Sequence, residues 1–154
     1  MPVGLHHVSI FTVDVQRSLR LFRDILGLKL LWQAPVGGRK LAALMGLPEV
    51  EAELFYLQNE AGGPALELIR LIRPERSEIP PLLGSRGSVT LSLQVKEIES
   101  LHRRLQEEGW TPHSSCLQLF TPQGQAVKLF SLRTEEGLSL EFIEELEPAA
   151  PSVL

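Results

Sequence analysis

One histidine and two glutamates draw the eye because each sits in a stretch that is otherwise apolar and alternating. His7 lies in LHHVSIF (5–11), Glu67 in ALELIRLI (65–72) and Glu141 in LSLEFI (138–143). Successive side chains of an extended chain point to opposite faces. His7 therefore shares a face with Leu5, Ser9 and Phe11, while His6, Val8, Ile10 and Thr12 share the other. Glu67 shares a face with Ile69 and Leu71. A carboxylate held away from water is costly unless a cation, a proton or hydrogen bonds balance it. An imidazole nitrogen with carboxylate oxygens is a donor set for a divalent ion such as Zn²⁺, Ni²⁺, Mn²⁺, Co²⁺ or Fe²⁺. With open positions left for water or substrate, such an ion is a Lewis acid. Taken singly, a strand histidine is more often a hydrogen-bonded structural residue, and a strand glutamate more often lies on a solvated face. It is their pairing that argues for chemistry.

The pairing comes from an internal repeat. VSIF (8–11) corresponds to LSLQ (91–94), and Asp14-Val15 to Glu97-Ile98. With one residue dropped, Ser18-Leu19 matches Ser100-Leu101 and Gly27 matches Gly109. LELI (66–69) corresponds to LEFI (140–143). Glu67 and Glu141 are thus equivalent, and His7 is equivalent to Thr90. Each copy reads as strand, helix and three further strands. In the first, Asp14 is an N-cap, Leu19, Phe22, Ile25 and Leu26 form the helix stripe, and Gly27 suits the position past its end. Strands follow at 28–33, 51–58 and 65–72. Residues 34–38 read as a turn, 39–45 as a short helical segment and 59–64 as a hairpin connection. In the second copy, 87–95 alternates strictly, with Ser88, Thr90, Ser92 and Gln94 on one face. A helix over 96–109 carries Ile98, Leu101 and Leu105. Strands are expected at 110–119, 125–133 and 138–143, with a turn at 121–124.

The helices need Val8, Ile10 and their counterparts as cover. His7, Ser9, Glu67, Thr90, Ser92, Gln94 and Glu141 are then left on the uncovered side. The expected fold is α+β, with two βαβββ modules forming an open, cleft-enclosing mixed sheet. The first module spans 3–74, a proline- and charge-rich linker 75–86, the second module 87–146 and a flexible tail 147–154.

The 154 residues suffice for a core that buries about 70% of the unfolded surface. A net charge of −4, with no basic run, argues against nucleic acid. No apolar stretch approaches a membrane span, and the start, MPVGLHH, lacks the pattern of a signal peptide. A single cysteine, Cys116, precludes an intrachain disulfide and fits a reducing, cytoplasmic setting. Cys116 itself reads as a small buried hydrophobe. His6 reads as structural and His102 as a solvated residue on a charged helix. His113 has no assignable direction. Arg39 and Lys40 are candidates for holding an anionic substrate.

LHHVSIFTVD with RSLRLFRDILGL, MGLPEVEAELFYLQNEAGGPALELIRL, GSVTLSLQV and EEGLSLEFIE together resemble the vicinal oxygen chelate superfamily, which holds glyoxalase I, methylmalonyl-CoA epimerase, bleomycin resistance proteins and extradiol dioxygenases. The resemblance implies paired βαβββ modules around a cleft, commonly in homodimers. It also implies metal ligands on the first and last strands of each module, here His7, Glu67, Thr90 and Glu141. Thr90 departs from the pattern, because a neutral hydroxyl is a poor ligand for these ions. His7, Glu67 and Glu141 remain as the expected metal set, with Glu67 and Glu141 as the proton-moving groups. Ser9, Thr90, Ser92 and Gln94 are expected to line the substrate. The resulting expectation is a metal-dependent isomerase, epimerase or lyase working through an enolate-like species. The alternative is a metal-free protein that sequesters a small molecule. One histidine does not match the two-histidine, one-carboxylate triad of iron oxygenases.

Overall fold

The structure is a computed structural model and describes residues 4–75 and 89–147. The chain divides into two compact units, Met1–Glu78 and Ile79–Leu154. Most of the expected linker, Ser88 and nearly all of the expected tail lie outside the described residues.

In the first unit, β1 (His7–Phe11) leads into α1 (Val15–Leu19), which continues as a π-helical segment (Arg20–Ile25). β2 (Lys29–Gly37), α2 (Arg39–Met45), β3 (Glu51–Gln58) and β4 (Ala65–Arg73) follow. The strands form one sheet in the order β1-β4-β3-β2, with β1 parallel to β4 and the other pairs antiparallel. Asp14 caps α1 by accepting the Arg17 backbone N–H at 3.0 Å. Ile10, Phe55, Leu57, Leu66 and Leu68 are buried on the face the helix covers. The π-winding alters the expected helix stripe. Each residue advances through a smaller angle than in an α-helix, so Leu21 joins Leu19, Phe22 and Ile25 in the core while Leu26 stays half-exposed.

β2 runs on through residues 34–37, which the sequence suggests are a turn. Pro35 is tolerated because β2 is an edge strand with one side unpaired. Gly37 is required by crowding: a Cβ there would lie 2.7 Å from the Val50 carbonyl oxygen.

The second unit repeats the plan. β5 (Thr90–Gln94), α3 (Ile98–Glu107), β6 (Leu117–Phe120), β7 (Ala126–Arg133) and β8 (Ser139–Glu145) make a sheet ordered β5-β8-β7-β6. Phe130, Leu132, Leu140 and Phe142 are buried on the α3 side with Ile98 and Leu105. The strand expected from Trp110 begins only at Leu117. Trp110 instead closes the helix end, donating its N–H to Leu105 O at 2.8 Å with its ring buried. Pro112, which has no N–H, forms just an isolated bridge to Leu132. The equivalence of Asp14 and Glu97 holds in position but not in role. Glu97 adopts a left-handed conformation (φ 55°). The cap comes from Glu144, whose carboxylate accepts the Glu97 and Ile98 N–H groups at 2.8 and 3.1 Å. The last strand accordingly extends past Ile143.

Candidate functional site

On the face of the first sheet opposite α1, one cross-strand row joins polar and aromatic side chains. Ser9 pairs with Glu67, Glu67 with Tyr56 and Tyr56 with Trp32, one residue from each of the four strands. Ser9 Oγ donates to Glu67 Oε1 at 3.0 Å. Trp32 stacks on Tyr56 with ring centroids 4.9 Å apart and planes 7° from parallel. The His7 ring meets Tyr56 edge-on at 6.2 Å. At the end of β1, His6 Nδ1 and His7 Nδ1 are 2.7 Å apart. The far end of this face is closed by α2, where Ala42 packs with Val50, Ala52 and Ile69.

Tyr56 and Trp32 were not legible as site residues. Simple alternation along β2 would put Trp32 on the helix side with Leu30. An irregularity in the pairing between Leu30 and Trp32 switches Trp32 to the open face. The doubled bulk of Leu31-Trp32 on an edge strand is the one local hint.

The second sheet repeats the serine–glutamate pair. Ser92 sits opposite Glu141 and donates to its Oε1 at 2.7 Å. Thr90, the counterpart of His7, turns its hydroxyl to Ser139 Oγ at 3.0 Å. Gln94 is exposed at the end of β5. The structure thus brings Ser9 to Glu67 and Ser92 to Glu141, and commits Thr90 to a serine. Glu67 and Glu141 are half-exposed rather than sealed in apolar surroundings, so water and the serine hydroxyls already meet part of the charge cost.

Within neither unit do three or more His, Cys, Asp or Glu side chains stand close enough to hold a metal, among the described residues. By donor chemistry, His7 and the two glutamates suit a divalent ion: one imidazole, and two carboxylates that each have one oxygen taken up by a serine. Thr90 does not.

The other candidates resolve into structural roles. His102, expected to be solvated, is half-buried; its ring packs edge-on against Phe130 at 4.8 Å and Nε2 lies 2.8 Å from Ser114 O. His113 is exposed and its backbone N–H joins Ser131 O at 2.8 Å. Cys116 is half-buried; burial, reinforced by Glu99, pushes its thiol up, so little reactive thiolate forms at neutral pH. Arg39 and Lys40 are exposed on α2. On the helix side of the first sheet, a cavity of about 570 Å³ is lined by Asp14, Gln33, Phe55 and the Glu53–Arg70 ion pair (2.7 Å).

The two four-stranded mixed sheets define a glyoxalase-like fold. A family model described as the Glyoxalase/Bleomycin resistance protein/Dioxygenase superfamily matches residues 4–142, and the chain belongs to that superfamily. Its members typically use a divalent metal, bind small molecules and often form dimers. A curated relative, the "Putative ring-cleaving dioxygenase MhqA" of Bacillus subtilis (strain 168), is 32% identical over 114 residues, which are 72% of this chain and 32% of the relative. The chain therefore spans about a third of that relative's length. A glyoxalase family protein from Bacillus cereus is similar in structure, with TM-score 0.82, 21% identity and 96% and 97% of the two chains covered. A lactoylglutathione lyase from Agrobacterium tumefaciens has TM-score 0.54 and 16% identity, covering 94% and 95%. These two likenesses speak to the fold alone. Among the described residues, no helix is long and apolar enough to cross a membrane.

Proposed function

We propose that the chain is a small-molecule enzyme in which His7, Glu67 and Glu141 hold a divalent ion, and in which isomerase, epimerase or lyase chemistry proceeds by proton transfer. The observation that carries this reading is the serine–glutamate pair found at the same register position of both sheets, with an imidazole beside only the first. When bound, the ion supplies Lewis-acid polarisation of vicinal oxygens on the substrate. Ser9 and Ser92 each occupy one oxygen of a glutamate. That fixes the carboxylate plane and leaves the second oxygen to bind the ion or to take a proton from carbon next to a carbonyl. Glu67 and Glu141 are the proposed proton carriers. Ser9, Thr90, Ser92 and Gln94 line the substrate, with the Tyr56–Trp32 stack as an added flat surface beside Glu67. A cytoplasmic homodimer belongs to the same proposal.

The ring-cleaving activity in the relative's name suggests an alternative chemistry, but a single histidine falls short of the two-histidine, one-carboxylate donor set that such iron chemistry uses. A second reading, metal-free sequestration of a small molecule, is favoured by the Thr90–Ser139 hydrogen bond, which ties up the position where another donor would stand. Titration of Zn²⁺, Ni²⁺ and Mn²⁺ into protein purified without a nickel column separates the two. The enzyme reading expects stoichiometric binding that Glu141→Ala abolishes. No binding of any of the three at neutral pH would overturn it in favour of sequestration.

A further inference from the structure

His6 belongs to no part of the reading above, yet it makes the shortest contact that His7 has to another ring. The two Nδ1 atoms are 2.7 Å apart and the ring centroids 5.0 Å. That centroid separation is about the largest two imidazoles can have at this nitrogen distance, so the nitrogens face each other head-on. The planes are turned by 77°, which rules out ring stacking as the source of the contact. Head-on approach at this distance is a hydrogen bond, and between two neutral rings it demands opposite tautomers. One Nδ1 carries a proton and the other offers its lone pair. The donor ring then has a bare Nε2, and the acceptor ring has Nε2–H.

Resting on the proposed metal role of His7, we infer that His6 is a positioning residue: it accepts the Nδ1–H of His7 and so locks His7 in the tautomer whose Nε2 is free to ligate. A metal-ligating histidine ordinarily gives its other N–H to an acceptor, which fixes ring orientation and raises ligand basicity. Carboxylates and carbonyls usually play that part; here the neighbouring imidazole does. Local geometry permits it because His6 precedes β1 and is free of the strand's strict alternation. The arrangement has particular weight in this chain. Thr90 supplies no second imidazole, so His7 is the one nitrogen donor in the proposed set, and its tautomer decides whether that set is complete. In free solution a neutral imidazole favours the Nε2–H form, which has no lone pair where the ion would bind.

The test has two arms. In metal-free native protein, ¹⁵N chemical shifts of the imidazole nitrogens at pH 8 should report His7 as Nδ1–H. His6→Phe should return it to the Nε2–H form. His6→Asn should retain Nδ1–H, because the asparagine Oδ1 stands the same number of bonds from Cα as the histidine Nδ1. In the second arm, Zn²⁺ affinity measured by calorimetry should fall about tenfold in His6→Phe, the lower end for an outer partner of a ligating histidine, and stay within about twofold of native in His6→Asn. His7 found as Nε2–H in native protein, or Zn²⁺ affinity unchanged in His6→Phe, overturns the inference and leaves the metal reading intact. Native protein that binds no Zn²⁺, Ni²⁺ or Mn²⁺ while His7 remains Nδ1–H overturns the metal reading and leaves the tautomer lock standing.

Discussion

At the scale of the residue, the chemistry turns on what stands at equivalent positions of the two halves. Ser9–Glu67 and Ser92–Glu141 are the same pair made twice, at 3.0 and 2.7 Å. His7 and Thr90 are the same position filled by different chemistry, and Thr90 Oγ donates to Ser139 rather than standing ready as a donor atom. An imidazole placed there should strengthen the proposed metal set. Thr90→His is expected to tighten Zn²⁺ binding by at least about tenfold, consistent with the preference of these ions for imidazole. Calorimetric titration against the native protein checks this, and an unchanged or weaker affinity counts against Thr90 lying at the ion. The glutamates were legible from their apolar setting. Their serine partners were legible only as residues on the same face, since register decides which hydroxyl meets which carboxylate.

At the scale of the element, the two halves cap their first helices differently: α1 by the adjacent Asp14, α3 by a side chain remote in sequence. α3 begins at a residue in the left-handed region and takes its N-terminal cap from Glu144 on β8, 46 and 47 residues away. Glu144→Ala removes the acceptor for two backbone N–H groups and should cost about 1 kcal/mol, read as a lower denaturation midpoint in urea with an unchanged slope. The helix is tied to the sheet a second time by Glu99 and Lys128 at 3.0 Å. The Lys128 hydrogen bond holds the Glu99 carboxyl below its ordinary range, and the Glu99 hydrogen bond raises the Lys128 ammonium above its own. A lowered carboxyl stabilises the fold above the ordinary glutamate range and loses that contribution as pH falls through the lowered value. A raised ammonium contributes below the ordinary lysine range and loses its part as pH rises through the raised value. Lys128→Met should therefore be slightly less stable than native at neutral pH, with the difference closing in acid. The gap is small because Glu99 is well exposed. Parallel urea melts at neutral and acidic pH measure it.

At the scale of the whole molecule, the duplication is the organising fact. Both halves have the order first–fourth–third–second strand, the same parallel pair at one edge and a helix over one face. Gly27 and Gly109, matched in the repeat, both adopt positive φ (78° and 85°) just beyond their helices. The superfamily's frequent dimerisation leads us to expect a homodimer, and light scattering at micromolar concentration should give about twice the 17.2 kDa chain mass. A mass of one chain would count against the homodimer.

The sequence by itself determined the repeat, the α+β class and the face on which His7, Glu67 and Glu141 fall. Alternation along a strand is a consequence of covalent geometry, and a helix stripe names the face it will cover. It also determined which half carries the imidazole. Only the tertiary structure decided that Trp32 crosses to the open face through an irregular pairing, that Pro35 continues an edge strand, and that Trp110 closes a helix while the strand waits until Leu117. It likewise decided that Thr90 is spent on Ser139 and that Glu144 caps α3. These outcomes depend on register and on partners dozens of residues away. Local periodicity can say which way a side chain points, but not what will be waiting for it there.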